Sequence, residues 1–169
     1  MIRSLSHSIS KIYKMMYNKD EGKGANKMDG RYDAVELAAK VISIVHDNGM
    51  YITNLQLQKV MYYIQGEFMK KFNYKAFVDP IECWPYGPVI KRVWRVYNSF
   101  GRKPINTGGS SLCLDVREES CIKKIIKEKL KMNVWDLVDQ THAELPWKHA
   151  NEIENPFISD SDMEEYFCR

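Results

Sequence analysis

The chain has 169 residues, 44% hydrophobic and 28% charged, enough for one domain with a real core and a short appendage. It holds no apolar run of the roughly 18 residues that a membrane-spanning helix needs, and its four cysteines form no C-x-x-C pair of the kind that marks a zinc site or a redox motif. The net charge of +3 lies wholly in residues 1–30, with six basic and three acidic side chains; the rest carries nineteen of each and is poorly equipped to hold a phosphate backbone.

The first stretch, "MIRSLSHSISKIYKMMYNKD", is weakly basic and too often broken by polar residues for a signal peptide, and no small-residue cleavage site follows. Leu5, Ile9, Ile12 and Met16 recur at helical spacing, with Lys11 and Lys14 on other faces. The segment reads either as a short amphipathic helix or as a frayed basic tail. "NKDEGKGANKMDG" reads as a flexible linker, and Met28 opens a sequence that could begin a domain by itself. We therefore expect an extension over residues 1–30 and one domain over residues 31–169. Cys83, Cys113, Cys121 and Cys168 read as reduced thiols in a cytoplasm.

The body reads as mainly α, a compact single helical domain with at most short β segments. Ala34, Leu37, Ala38, Val41, Ile42 and Val45 form one stripe of a helix over Tyr32–Asp47, and Gly49 stops it. Thr53 and Gln56 fit a capping box, with Leu57, Val60, Met61, Ile64 and Phe68 as the stripe behind it. Gly66 costs this helix about 1 kcal/mol against alanine, which points to the close approach of another element. "AFVDPIECW" has weak strand character. Pro88 suits the first turn of a further helix, in which Val89, Val93, Val96, Tyr97 and Phe100 recur until Gly101. Leu112–Val116 reads as a short strand, Glu118–Lys131 as a helix with Ile122, Ile125, Ile126 and Leu130 inward, and Asn133 as the cap of the next helix. "LPWKHANEIENPFISD" reads as irregular, with Asp160 or Ser161 capping a last turn.

The stretches "TNLQLQKVMYYIQGEFM", "IECWPYGPVIKRVWRVYNSFG" and "LVDQTHAELPWKHA" resemble the Panacea antitoxin domain family, which includes SocA-like antitoxins and phage-associated proteins. The matching positions are Thr53, Asn54, Leu57, Gln58, Lys59, Tyr63, Gln65 and Gly66. They continue with Glu82, Trp84, Tyr86, Gly87, Pro88 and Val89, then Leu137, Thr141, His142, Pro146, Trp147 and Ala150. Cys83 stands where the family usually has alanine. The resemblance spans roughly residues 31–167 and its residues mark the domain; they describe no known active site. It implies an antitoxin that neutralises a toxin encoded beside it by direct complex formation. One variant, an adaptor, hands the toxin to a protease. The alternative is a phage or prophage protein that binds a host factor without a toxin.

Other constellations are weaker. His142, His149 and Glu144 straddle a proline and match no standard ligand spacing, so no metal or cofactor is expected, and His142 reads as a hydrogen-bonded structural histidine. Cys83 lacks an identifiable base for nucleophilic work, and no constellation supports an enzyme. Lys123, Lys124, Lys127 and Lys131 share one helix face, which reads as solvated; no nucleic-acid or membrane partner is expected. Trp84 and Tyr86 read as core residues pinning the Tyr-Gly-Pro turn. Ile90, Arg92, Trp94, Arg95 and Tyr97 form an aromatic-basic strip rotated away from Val89, Val93 and Val96. That strip is the expected partner-binding face, because interface hot spots favour tryptophan, tyrosine and arginine.

Overall fold

The computed structural model describes residues 30–169, which form seven α-helices, one short 3-10 turn and one short hairpin. The expected extension lies outside the described residues, apart from Gly30. Helix α1, Ala34–Asp47, starts where the Asp33 side chain accepts the backbone N–H groups of Val35 and Glu36. Its stripe of Leu37, Ala38, Val41, Ile42 and Val45 is fully buried, as its spacing predicts. Helix α2, Asn54–Phe72, starts with the expected capping box: Thr53 accepts the Gln56 N–H at 3.3 Å, and Gln56 accepts the Thr53 N–H at 3.0 Å.

Helix α2 is the axis of the fold, buried from Leu57 to Gly66 without a solvent face. The remaining elements are the hairpin strands β1 (Glu82–Trp84) and β2 (Gly87–Val89), then α3 (Lys91–Tyr97), α4 (Val116–Lys129), α5 (Val134–Ala143), α6 (Leu145–Glu152) and α7 (Asp160–Phe167). Helix α2 packs against α1, α3, α4, α5, α7 and β2. Gly66 lets α7 approach: a Cβ there would lie 2.4 Å from the Phe167 ring. The Tyr62, Tyr63 and Phe167 rings meet edge to face at this crossing.

Several expectations are corrected. Pro88 does not open a helix; it pairs with Cys83 in the antiparallel hairpin, and α3 begins at Lys91. Cys83 gives its N–H to the Pro156 carbonyl at 2.8 Å, so its pairing with Pro88 asks no donor of the proline. Residues 112–116 find no strand partner; Leu112 and Leu114 pack on the core from a loop, and Val116 is already helical. Residues 145–152 are helical where an irregular stretch was expected, because Pro146 sits in the first turn, where a missing N–H does no harm. Val89 and Val93 are buried as expected, but Val96 is 49% exposed, and Ile90, the N-cap of α3, and Tyr97 turn inward, where the partner strip had them outward. The last helix is capped by Ser159, one residue earlier than Asp160.

No helix among the described residues is long and apolar enough to cross a membrane.

Candidate partner-binding surface

Helix α2 is buried, yet it carries Asn54, Gln58, Lys59 and Gln65. Buried polar groups must be matched or they destabilise the fold. Each of these is matched to backbone groups of a segment outside α2. Asn54 donates to the Trp94 carbonyl at 3.2 Å, and its side-chain oxygen accepts from Gln58 at 2.9 Å. Gln58 in turn accepts the Ile90 N–H at 2.9 Å, and Lys59 donates to the Pro88 carbonyl at 3.0 Å. Gln65 accepts from the Ala76 and Phe77 N–H groups, at 2.9 and 3.2 Å, and donates to the Phe77 carbonyl at 3.0 Å. Four side chains thus peg the hairpin, the start of α3 and the loop after α2 onto one helix.

Gly87 belongs to the same joint. Its φ of 98° lies in the left-handed region, and a Cβ would sit 2.7 Å from Thr141 Oγ1 and 2.8 Å from Lys59 Nζ. Burial lowers the Lys59 pKa to about 7. Burial, with the Lys59 charge adding to it, also holds His142 below the usual imidazole value. The expected hydrogen-bonded His142 is instead a stacked one: its ring lies 3.8 Å from that of Trp147, and its buried Nε2 has no hydrogen-bond partner.

All four tryptophans gather around this hairpin. Trp147 donates its Nε1–H to the Trp84 carbonyl at 3.0 Å, and Trp84 donates its own to Glu82 at 2.7 Å. The Trp84 and Trp94 rings lie 5.2 Å apart, and Tyr86 meets Trp135 edge to face at 5.9 Å. Tyr86 is 60% exposed and Trp135 53%, which corrects the reading of Tyr86 as core. Trp84, Trp94 and Trp147 are half-buried beside them.

The expected partner strip is divided by the structure. Ile90 and Tyr97 are in the core. Arg92 is held by Asp79 at 2.6 Å and Asp33 at 2.5 Å; burial works against its charge, but these two carboxylates raise its pKa overall. Trp94 is half-buried and Arg95 is exposed. The sequence reading missed Trp135, although the signal was there. With Leu137, Val138 and Thr141 inward on α5, the tryptophan two residues after the Asn133 cap must face out.

A second polar centre lies one turn further along α2, at Tyr63. A cleft of about 410 Å³ is lined by Tyr63, Gln140, Glu144, Lys129 and Tyr166 among others. Glu144 is buried and accepts from Tyr63 at 2.8 Å and from Gln140 at 3.3 Å. Burial pushes its carboxyl above the usual range despite these bonds and the nearby Lys129. The Lys129 ammonium sits 3.6 Å over the Tyr63 ring. Glu144, His142 and His149 therefore go three separate ways, since His149 pairs with Asp162 at 2.9 Å. Among the described residues no group of histidines, cysteines and carboxylates is arranged to hold a metal.

No curated protein and no solved structure matches the chain. The family described as "Antitoxin SocA-like, Panacea domain" matches it over residues 57–148, more than half its length. That span runs from the middle of the α2 peg row, through the hairpin and its tryptophans, to Trp147 in α6. The chain belongs to the SocA-like antitoxin Panacea domain family.

Proposed function

We propose that the chain is an antitoxin that neutralises a protein toxin encoded beside it by forming a complex with it, without catalysis. The observation that carries this reading is where the family's marker residues lie. Asn54, Gln58, Lys59, Gln65, Gly87 and Thr141 are spent on internal joints, not gathered in an open reaction centre. What they build is a rigid seat for a tryptophan-rich surface. Aromatic side chains on a rigid seat give large contact area at low entropic cost, which is what partner recognition needs.

Tyr86, Trp94, Arg95 and Trp135 are the side chains we propose for toxin contact, with Trp84 and Trp147 supporting them. Handing the toxin to a protease would use the same grip, so an adaptor role is a variant of this reading. The test is genetic first. The neighbouring open reading frame is expressed alone and then together with this chain. Growth arrest by the first, relieved by the second, supports the reading. Arrest that a folded, abundant chain leaves unrelieved contradicts it.

A further inference from the structure

The charge balance of the folded body hides a separation. From Asn133 to the C-terminus the sequence carries nine carboxylates against Lys148 and Arg169 alone. Helix α5 has no basic residue except His142. Asp136 and Asp139 are exposed on it, and Trp135 lies four residues before Asp139, on the same side. Tyr86 leans on Trp135 from the hairpin tip. Asp139 also acts on His142, which stacks on Trp147. The hairpin tip and the outer side of α5 are thus one surface, with apolar rings at its centre. Asp136 and Asp139 at its edge belong to none of the ion pairs formed among the described residues.

Such a surface fits a segment of the opposite pattern, an apolar stripe edged by ammonium groups. The sequence of this chain contains one. Residues 1–18 carry Leu5, Ile9, Ile12 and Met16 at helical spacing, with Arg3, Lys11 and Lys14 and no acidic residue. We propose that this N-terminal segment docks on the chain's own Tyr86–Trp135 surface, its apolar stripe against the two rings and its lysines against Asp136 and Asp139. A lysine beside the rings would also be drawn to their faces.

Length permits it. The described chain starts at Gly30, packed on the backbone of Phe77 and Val78. The residues between Lys19 and Gly30 reach up to ~40 Å when extended. Asp33, three residues after Gly30, binds Arg92 in α3, the helix that follows the hairpin directly, so the tether starts on the hairpin's side of the domain. A tether of this kind holds the segment at roughly millimolar effective concentration, and a weak contact suffices. The segment would cover the surface proposed above for the toxin and yield to a tighter binder. The inference does not depend on the toxin, and neither does its test.

The experiment compares the tryptophan indole N–H and backbone amide NMR signals of the full-length chain with those of full-length Lys11→Glu/Lys14→Glu. That variant changes nothing within the described domain. At low salt we expect the Trp135 indole and the Asp136 and Asp139 amides to differ between the two, and the difference to vanish at 0.5 M salt, where the screening length falls to about 4 Å. A second variant, Asp136→Asn/Asp139→Asn in the full chain, should be cut by trypsin after Lys11 and Lys14 roughly tenfold faster than wild type, because cleavage follows the population of the open form. Identical Trp135 signals in the first pair would overturn the proposal. So would unchanged cleavage in an Asn variant that melts normally. Signal differences that grow with protein concentration would also overturn it, since they would place a second copy's segment on the surface.

Discussion

The Lys59 ammonium lies 3.0 Å from the Pro88 carbonyl oxygen, fully buried, in no ion pair with any carboxylate among the described residues. A charge in that position is costly, which is why burial lowers its pKa to about 7. In the unfolded chain lysine titrates near 10.4. Between these two values the unfolded state binds more protons than the folded one, so stability rises with pH across that window. We predict that the domain gains about 2 kcal/mol of stability between pH 7 and pH 9. Lys59→Met should flatten that slope. Denaturant midpoints at a series of pH values check both statements; a wild-type slope of opposite sign would refute the account of Lys59.

Gly87 is the complementary half of the same joint. A methyl group there meets Thr141 and Lys59 at under 3 Å and also sits at a positive φ. Gly87→Ala should cost about 2–4 kcal/mol, the sum of overpacking and backbone strain. Gly49, with φ 66° and open space around it, is the control. Gly49→Ala should cost only ~1 kcal/mol, the strain part alone. Thermal melts of the two variants separate crowding from conformation, and equal losses would contradict the crowding.

Gln65 makes three bonds to the loop after α2. Gln65→Leu leaves two N–H groups and one carbonyl unmatched, a loss of about 3 kcal/mol. The damage should be local. Hydrogen exchange should show the Ala76 and Phe77 amides losing protection first, while α1 amides such as Val41 keep theirs.

Helix α2 was legible down to its cap, because Thr53 and Gln56 are a local pattern that reads without tertiary knowledge. The α1 and α4 stripes were legible for the same reason: their apolar spacing has only one helical face to offer. Pro88 was misread because its place in a strand depends not only on Cys83 across the turn but also on Pro156 and Lys59, both distant in sequence. The stretch from Leu145 was read as irregular because the residues before a proline set whether it starts or ends a helix. The facing of Ile90, Val96 and Tyr97 was misread because two apolar stripes compete along a helix of seven residues. Ile90 wins through Gln58, a contact no periodicity reveals. The marker residues were visible in the sequence, but their role as pegs was not, since a buried glutamine shows its purpose only when its backbone partner is known.

The Trp135 and Trp94 positions make different predictions for binding. Trp135 is 53% exposed and touches Tyr86 alone among aromatic residues of the described chain. Trp135→Ala should leave the melt within about 0.5 kcal/mol of wild type. It should weaken toxin binding by roughly thirtyfold, or ~2 kcal/mol. Trp94→Ala removes the ring beside Trp84 and should lose both stability and binding. A Trp135 variant that binds normally would move the contact surface elsewhere.

Neutralisation by complex formation has a signature that catalysis lacks: it is stoichiometric. The most direct measurement is a calorimetric titration of the purified full-length chain into the purified product of the neighbouring frame that arrests growth. The account predicts saturable heat ending at a fixed molar ratio, abolished or strongly weakened by Trp135→Ala. No binding between two folded proteins, with growth still rescued at a small fraction of equimolar chain, would contradict it.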